Sequence, residues 1–448
     1  MNKLIFKLKN QFNNKKVLVI GLGLQGGGVG LARFFSKLGA NVTVTDLKTK
    51  EKLKSSIDKL SGLNIKFTLG EHKISDFTSS EYIFKGPSVK WNLPELVCAG
   101  KKGVTIDMEA SFFVRHCPSK IIGISGTRGK STTAMMLYSL LKKSKKKVFL
   151  GGNIPNISTI EILKSATAQD YVILELSSWQ LSGLNKKKIS PNISIFTNLY
   201  PDHLNYYDSM DNYALDKKAL YLNQKPCDYL IANKVLKKEI EKDNPKSKIY
   251  YFQNTDFPKK LKYLKGIHNK ENAACVLIAA KILKINKKNT EEHIVNFKGV
   301  HSRQEIIGSK NNITFINDTT STTPIATIKA IDSFSKSRII LILGGKTKNL
   351  PTDKLLKKLN DVEKIVLLKG SFTSEISKKL NKQIKKKIAG KFDDLEKAVE
   401  KAYEIANKTK DKHKEEIIVL FSPGATSFEL FDNEFHRGRE FNRIYKRI

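Results

Sequence analysis

The chain has no uninterrupted apolar run of about 18 residues, the length that a membrane-spanning helix needs. Its opening, MNKLIFKLKNQF, also lacks the long apolar segment of a secretory signal, so we expect neither a membrane span nor a signal peptide. Cysteine is sparse, scattered and without C-x-x-C spacing, which is typical of reduced thiols in a cytoplasmic protein. The four cysteines are Cys98, Cys117, Cys227 and Cys275.

Basic residues dominate the charge, but arginine is scarce and aromatic residues are not interleaved with the basic runs. The formal net charge is +37, from 80 Lys and Arg against 43 Asp and Glu. Such a charge can attract nucleic acid or any other anion. Because the lysine runs at 142–147, 186–188 and 385–387 are spread over the whole chain, we interpret them as solvated surface. Nucleic-acid binding stays the weaker alternative.

The length of 448 residues is too great for one ordinary core, so several domains are expected. Short apolar strands alternate with helical stretches, which predicts open α/β sheets, and no repeat of about 20 to 50 residues is present. We predict three tandem α/β domains: a Rossmann-like domain over 1–117, a central phosphate-loop (P-loop) ATPase-like domain with a parallel sheet over 118–297, and a Rossmann-like domain over 298–448. Pro118 marks the first boundary.

The stretch KIIGISGTRGKSTT at 120–133 combines a buried strand, a glycine loop and a helix start. Its glycines let backbone N–H groups approach an anion, and the helix N-terminus adds the positive end of its dipole. Lys130 can reach the outer phosphates of a nucleotide, and the Ser131 hydroxyl can bind Mg²⁺. The generic G-x-x-x-x-G-K-[ST] pattern would require glycine at Ile124, so the match is S-G-T-x-G-K-S instead.

A second glycine loop, GLGLQGGGVG at 21–30, follows the first apolar strand. Gly21, Gly23 and Gly26 fit G-x-G-x-x-G, and Asp46 ends the next strand, where a ribose-binding acid would lie. Taken alone, this pattern is typical of a dinucleotide fold and of NAD dehydrogenases. The same geometry holds any nucleotide diphosphate, so the ligand stays open.

Two polar residues follow strands of the central domain. Glu175 comes directly after the predicted strand 170–174, and a carboxylate at such a strand end beside a phosphate loop is where a Mg²⁺ ligand belongs. His203 follows the strand 193–198 and could be a metal ligand, a base or a surface residue. Its neighbourhood to Glu175 and the phosphate loop favours a functional role.

Two helical stretches carry further candidates. DNYALDKKALY at 211–221 has helical periodicity and includes Lys217, and GIHNKENAACVLIAA at 266–280 begins as a polar turn and continues as an apolar helix. Asn269 and Asn272 share one face of its first turn. Their amides could read an adenine edge or cap the helix.

The motifs SGTRGKSTT, ELSSWQL, NLYPDHLNYYDSMDNYALDKK, GIHNKENAA, INDTTSTTP and SPGATSFELFDNEFHRGREF occur in the order found in the Mur ligases of peptidoglycan synthesis. The chain resembles this family over nearly its whole length. The ELSS-x-QL segment, the GLGL opening and the SPxxxSF ending are most similar to the D-glutamate-adding branch. The resemblance implies that the first glycine loop holds the UDP part of a UDP-sugar and that no nicotinamide is used.

The reaction implied by the resemblance is ATP-dependent amide-bond formation. The γ-phosphate of ATP passes to the carboxylate of UDP-N-acetylmuramoyl-L-alanine, and the amine of D-glutamate then attacks the acyl phosphate. Both steps gather negative charge, so electrostatic stabilisation should dominate. The resemblance implies ATP and Mg²⁺ as cofactors, the UDP-sugar and glutamate as the partners, no nucleic-acid or membrane partner, and a monomer in the cytoplasm.

Residues for ATP and metal are carried over from the matching motifs. Lys130, His203 and Lys217 would be catalytic. Lys217, four positions after Tyr213, would be carbamylated, which turns an amine into the oxygen ligand that Mg²⁺ prefers; Lys218 is the alternative assignment. The ATP-binding residues would be Gly126, Thr127, Arg128, Gly129, Lys130, Ser131, Thr132, Asn272, Arg303 and Asp318, and the metal ligands Ser131, Glu175, His203 and Lys217.

Substrate residues are carried over in the same way. The UDP-substrate would be bound by Leu24, Gln25, Asp46, Asn153, Ser177 and Gln180. The incoming glutamate would be bound by Thr322, Lys348, Ser427 and Phe435, an ammonium group for a carboxylate together with hydroxyl donors. Because these sites draw on different domains, we expect hinge closure around bound ligands.

Several positions depart from the family pattern. Thr320 stands where a lysine is usual beside the glutamate site, Ser302 stands where a histidine precedes the arginine, and the usual Ser-Pro-Gly loop is KGPS at 85–88. Phe435 lies one position away from the usual aromatic residue. L-Glutamate or another acidic amino acid is therefore an alternative acceptor.

Two other functions were weighed. A non-catalytic UDP-sugar-binding homologue would not need the magnesium site that Lys130, Glu175, His203 and Lys217 would form. A folylpolyglutamate-synthase-type ligase would lack the first glycine loop.

Overall fold

The computed structural model describes residues 3–22, 26–154, 157–202, 206–410, 415–427 and 430–448. Three β-sheets, flanked by helices, give the mixed α/β fold that the alternation of strands and helices predicted. None of the described helices is long and apolar enough to cross a membrane.

The first sheet has five parallel strands in the order β3-β2-β1-β4-β5, the arrangement of a nucleotide-binding half-fold with its first strand central. Its strands are β1 (Lys16–Ile20), β2 (Asn41–Asp46), β3 (Ile65–Leu69), β4 (Tyr82–Lys85) and β5 (Thr105–Asp107). The helices are α1 (Lys3–Phe12), α2 (Gly27–Lys37), α3 (Lys50–Ile57), α4 (Ile74–Thr78), α5 (Pro94–Lys101) and α6 (Glu109–His116).

The second sheet has six parallel strands in the order β11-β10-β9-β6-β8-β7. Its strands are β6 (Lys120–Ser125), β7 (Val148–Gly152), β8 (Tyr171–Glu175), β9 (Ile193–Phe196), β10 (Tyr229–Asn233) and β11 (Lys248–Phe252). The helices are α7 (Lys130–Lys143), α8 (Ser178–Lys187), α9 (Met210–Lys218), α10 (Lys237–Lys242), α11 (Ile267–Ile282) and α12 (Lys287–Val295). Because β6 lies between β8 and β9, the carboxyl ends of these three strands meet at one edge.

The third sheet has the order β12-β13-β17-β14-β15-β16, and only the β12–β13 pair is antiparallel. Its strands are β12 (Glu305–Lys310), β13 (Ile313–Asn317), β14 (Arg338–Gly344), β15 (Lys364–Leu368), β16 (Ile388–Phe392) and β17 (Ile417–Phe421). The helices are α13 (Pro324–Ser333), α14 (Asp353–Lys358), α15 (Ser371–Ser377), α16 (Lys382–Lys387), α17 (Leu395–Lys410) and α18 (Glu434–Arg447).

By its internal contacts the chain divides into two compact units. One comprises residues 1–258 with 270–291, and the other 259–269 with 292–448. The first unit contains the first two sheets, whose helices share one apolar cluster that includes Phe113 of α6 and Leu181 of α8. The predicted boundaries after residues 117 and 297 stay predictions.

Candidate active site

The phosphate loop of the first unit lies where the sequence predicted it, between β6 and α7. Gly126 has a φ of 148° and Gly129 a φ of 87°, and both values favour glycine. A Cβ atom on Gly126 would lie 2.0 Å from the Thr197 Oγ1 atom, and one on Gly129 would lie 2.5 Å from the Asn272 Oδ1 atom. The loop therefore needs glycine at both positions for backbone conformation and for space.

The end of β9 holds the phosphate loop in place. The Asn198 side chain accepts a hydrogen bond from the Arg128 N–H at 2.8 Å, and its carbonyl oxygen accepts one from the Thr127 N–H at 3.0 Å. The Thr197 hydroxyl donates to the Arg128 carbonyl oxygen at 2.6 Å. Thr197 and Asn198 were not among the residues predicted from the sequence, although their place just after a strand was a usable signal.

Lys130 begins α7 and curls back onto the loop. Its Nζ atom donates to the Gly126 carbonyl oxygen at 2.9 Å and to the Thr127 carbonyl oxygen at 3.2 Å. The ammonium group is thereby placed within the loop that a polyphosphate would occupy.

Lys217 reaches the same loop from α9. Its side chain is buried, and its Nζ atom donates to the Gly126 carbonyl oxygen at 3.0 Å. Burial, reinforced by the nearby positive charge of Lys130, lowers the pKa of Lys217 well below its usual value. A neutral amine therefore forms more readily here than at an exposed lysine.

Lys218, the alternative assignment, has a different environment. It forms ion pairs with Glu239 at 2.5 Å and with Asp243 at 3.1 Å. Hydrogen bonds to these carboxylates raise its pKa, so Lys218 is held as a cation away from the loop.

Glu175 is the buried last residue of β8, and β8 pairs with β6 next to the phosphate loop. Its carbonyl oxygen accepts a hydrogen bond from the exposed Asn153 at 2.6 Å. Two other predicted substrate residues, Ser177 and Gln180, form a capping box at the start of α8, in which each side chain bonds the other's backbone N–H.

The first glycine loop is tied to a carboxylate. Asp46, at the end of β2, accepts a hydrogen bond from the Leu22 N–H at 2.9 Å and another from the Lys48 N–H at 2.9 Å. The predicted residues Leu24 and Gln25 lie outside the described residues, as does His203.

Four candidates of the second unit lie on loops that follow β13, β14 and β17, namely Asp318, Thr322, Lys348 and Ser427. Asp318 is buried, and its carboxylate accepts hydrogen bonds from the Ser321 hydroxyl at 2.5 Å and the Ser422 hydroxyl at 2.7 Å. Burial raises the pKa of Asp318 to about 6, although these hydrogen bonds act in the opposite direction. Arg303, the other ATP candidate of this unit, is exposed.

Two of the residues predicted to bind the glutamate substrate are in contact. The Lys348 Nζ atom donates to the Thr322 hydroxyl at 3.2 Å. The Ser427 hydroxyl is buried and, among the described residues, has no hydrogen-bond partner. Phe435 lies in the first turn of α18 and is partly buried.

Comparisons with known proteins cover nearly the whole chain. Residues 15–107 match the model of the Mur ligase MurD-like N-terminal domain, residues 124–311 the Mur ligase middle domain, and residues 302–423 the Mur ligase glutamate ligase domain. A UDP-N-acetylmuramoylalanine--D-glutamate ligase of Roseiflexus sp. (strain RS-1) is 34% identical over 97% of this chain and 99% of its own length. A UDP-N-acetylmuramoylalanine--D-glutamate ligase of Borreliella burgdorferi is 35% identical over 98% of this chain and 100% of its own length.

The chain belongs to the Mur ligase family. Solved structures agree on the fold: UDP-N-acetylmuramate-alanine ligase MurC from Thermotoga maritima aligns with a TM-score of 0.58 at 19% identity, covering 97% of this chain and 99% of that chain. MurF from the same organism, in complex with ADP, aligns with a TM-score of 0.57 at 18% identity, covering all of both chains. Mur ligases use ATP, and so does this one.

In this Mur ligase the structure brings only some of the predicted residues together. Lys130 and Lys217 meet at the Gly126 carbonyl oxygen, and Lys348 meets Thr322. Asn272 adjoins the phosphate loop from α11, where its Oδ1 atom accepts a hydrogen bond from Thr133 at 3.2 Å. Asn269, by contrast, donates to the Lys265 carbonyl oxygen at 2.7 Å, a helix-start contact.

One buried charge beside the loops after β13 and β17 was not predicted from the sequence. Arg437 is fully buried in the first turns of α18, where it bonds Thr319 and Ala425. The sequence offered only a weak signal for it, since an arginine on an amphipathic helix is usually exposed.

Proposed function

We propose that this Mur ligase joins D-glutamate to UDP-N-acetylmuramoyl-L-alanine with consumption of ATP, through an acyl phosphate. What supports this most is the full-length similarity to D-glutamate ligases together with two amines on one carbonyl oxygen of the phosphate loop. The substrates and products place the reaction in the synthesis of peptidoglycan precursors. ATP and reduced thiols suit a cytoplasmic protein.

The first chemical step transfers the γ-phosphate of ATP to the L-alanine carboxylate. Lys130 is suited to neutralise the oxygens of the transferring phosphate, because its ammonium group already lies on the loop. The backbone N–H groups of the loop and the start of α7 add donors that need no rearrangement during the reaction. Thr197 and Asn198 keep these donors in place from β9.

The donor set fits Mg²⁺. A buried carboxylate at a strand end, Glu175, and a hydroxyl at the helix start, Ser131, are oxygen ligands of the kind that this hard cation takes. His203 was predicted to contribute as well and lies outside the described residues. When bound, Mg²⁺ would neutralise negative charge on the phosphates.

Lys217 fits the set only after modification. An ammonium group cannot bind a cation, but a neutral amine adds to CO₂, loses a proton and becomes a carbamate with two oxygen atoms. The lowered pKa of Lys217 favours the neutral amine that this addition requires. The ion-paired Lys218 lacks that property, which supports the assignment to Lys217.

The second step needs an acceptor amine. We propose that Lys348 and Thr322, which already contact each other, bind one carboxylate of glutamate, and that the buried Ser427 hydroxyl donates to the other. Asn272, Arg303 and Asp318 are proposed to contact ATP, and Asp46, Asn153, Ser177 and Gln180 the UDP-substrate. For Ser177 and Gln180, the capping box limits the proposal to contacts that leave the cap intact.

The deciding experiment measures phosphate release from ATP by the purified full chain. The assay contains Mg²⁺, bicarbonate and UDP-N-acetylmuramoyl-L-alanine, with D-glutamate, L-glutamate or no amino acid. Release that requires D-glutamate is expected. Release with L-glutamate alone would keep the mechanism and change the acceptor, as Thr320 leaves open. No release with any acidic amino acid from folded protein would contradict the proposal and favour a UDP-sugar-binding homologue.

A further inference from the structure

The guanidinium group of Arg437 is buried in the second unit, next to the loops that carry the residues proposed to bind glutamate. Its Nε atom donates to the Thr319 hydroxyl at 2.8 Å, and its Nη2 atom donates to the carbonyl oxygens of Thr319 at 2.8 Å and Ala425 at 3.1 Å. All of these acceptors are uncharged. The Nη1 atom is buried and, among the described residues, has no hydrogen-bond partner.

The contacts of Arg437 join the loops that carry the proposed acceptor residues. Thr319 lies on the loop after β13 that also holds Thr322, and Ala425 lies on the loop after β17 that also holds Ser427. The loop after β14, which holds Lys348, passes close by at Gly345, where a Cβ atom would lie 3.2 Å from the Nη1 atom. That loop is bridged to the loop after β17 by backbone hydrogen bonds between Lys346 and Thr426 at 2.9 and 3.0 Å.

A buried arginine without a carboxylate partner contributes little to the free energy of unfolding. Burying a guanidinium without a carboxylate partner carries a desolvation penalty, and an apolar side chain of similar volume is often tolerated at least as well. Burial lowers the pKa of Arg437 to about 10, with Glu434 acting in the opposite direction, so the group is still a cation at neutral pH. This cation is bonded to the loop that carries the Ser427 hydroxyl, a buried group without a hydrogen-bond partner among the described residues, and such an arrangement suits a site that receives an anion.

We propose that Arg437 is a positioning residue of the acceptor site. Its planar guanidinium fixes the loops that carry Thr322 and Ser427 relative to each other and keeps a positive charge beneath them that favours the carboxylates of the acceptor amino acid. The inference rests on the proposed function, because it concerns the acceptor of that reaction. It assigns Arg437 no contact with the reacting atoms.

Two substitutions separate the effect of the planar guanidinium donors from the effect of the positive charge. Arg437→Lys keeps a cation and loses the planar set of donors, and the KM for glutamate should rise about tenfold. Arg437→Met removes both, and the KM for glutamate should rise about a hundredfold. In both variants the KM values for ATP and for the UDP-substrate, and the ADP formed in a single turnover without amino acid, should equal those of the wild type.

Thermal unfolding distinguishes positioning from support of the fold. Arg437→Met removes a buried charge that has no carboxylate partner, which stabilises, and three hydrogen bonds, which destabilises. Because the two effects oppose each other, its Tm should stay close to that of the wild type. The matched control is Arg439→Met, an exposed arginine two residues along the same helix, which should change neither KM nor Tm.

Three results would overturn the inference. They are a glutamate KM within about twofold of the wild type in both variants, parallel rises in all three KM values, and a large fall in Tm that accounts for the lost activity. If instead the wild-type protein releases no phosphate with any acidic amino acid, the proposed function is wrong. The inference about Arg437 is then wrong as well, because it concerns the acceptor of that reaction.

Discussion

The two glycine loops of the first unit begin and end alike in their described residues, and they differ in the charge beside them. Each follows a central parallel strand and ends at a glycine of positive φ that precedes a helix, Gly26 at 99° and Gly129 at 87°. The first loop is held by the Asp46 carboxylate. The second receives two lysine amines on the Gly126 carbonyl oxygen.

This difference separates two contributions to ligand choice. Glycine spacing sets how closely a backbone can approach a nucleotide, which both loops allow. The neighbouring side chain decides which part of the nucleotide is bound, because a carboxylate accepts hydrogen bonds from ribose hydroxyls and an ammonium group neutralises phosphate oxygens. The glycine pattern by itself therefore left an NAD dehydrogenase open, whereas a lysine directly after the second loop indicated polyphosphate.

The largest effect is expected when the second loop loses its own lysine. Lys130→Met should lower kcat/KM for ATP by about a thousandfold, because it removes the ammonium group that we propose to neutralise the transferring phosphate. Affinity for the UDP-substrate, measured by calorimetry, should be unchanged. Lys143→Met, on the exposed end of the same helix, is the control and should retain full activity. Normal ATP turnover by Lys130→Met would show that the charge beside the second loop does not distinguish it from the first.

The second lysine should make activity depend on CO₂. Lys217→Met, or wild-type protein in buffer freed of CO₂, should lose about a hundredfold in rate, because the carbamate oxygens that would complete the metal site are missing. Wild-type activity should return on addition of bicarbonate, with a carbamate signal in the carbon spectrum of protein supplied with ¹³C-bicarbonate. Lys218→Met breaks two ion pairs and should cost about 1 kcal/mol of stability while leaving the CO₂ response intact. Full activity without CO₂ would show that Lys217 acts as an amine.

Most of the fold followed from the sequence, because parallel strands buried on both faces are continuous apolar runs. The buried strand predicted within KIIGISGTRGKSTT is β6, and β15 (Lys364–Leu368) is another such run. Weaker signals were missed. β12 is a half-buried edge strand that pairs antiparallel to β13, and β16 contains Gly390 and is also only partly buried, so neither has an apolar run.

The candidate site was less predictable than the fold. Motif order indicated Lys130, Glu175 and Lys217 as candidates, because Lys130 begins a helix after a glycine loop, Glu175 ends a strand and Lys217 lies on a helix with a matching pattern. Burial, in contrast, depends on residues distant in the chain. The sequence could not show that burial lowers the pKa of Lys217, whereas hydrogen bonds to Glu239 and Asp243 raise the pKa of Lys218. Arg437 was missed for the same reason.

A smaller effect is expected at the first loop. Asp46→Asn should raise the KM for the UDP-substrate about tenfold and leave the KM for ATP unchanged, because the charged acceptor for the Leu22 N–H is lost in one loop only. Initial rates at varied concentrations of each substrate measure both values. The control is Asp58→Asn, an exposed aspartate paired with Lys54. If Asp46→Asn weakened ATP instead, the two loops would not have the separate roles assigned here.

The finest test compares the glycines themselves by stability. Gly21 has a φ of 85°, but among the described residues a Cβ atom there would meet nothing nearer than the Gly86 Cα atom at 4.0 Å. Gly21→Ala should therefore cost only the backbone strain of about 1–2 kcal/mol. Gly126→Ala adds a 2.0 Å approach to the Thr197 hydroxyl and should cost about 1–3 kcal/mol more in the free energy of unfolding.

A double-mutant cycle shows whether that extra cost is the predicted clash. Thr197→Ala alone should destabilise, because its hydroxyl donates to the Arg128 carbonyl oxygen. Combined with Gly126→Ala it should cost less than the sum of the two, since the atom that the new methyl group would strike is gone. Additive costs from denaturant titrations would mean that the phosphate loop moves as a whole to accept the methyl group, and that the crowding distinguishing it from the first loop is not rigid.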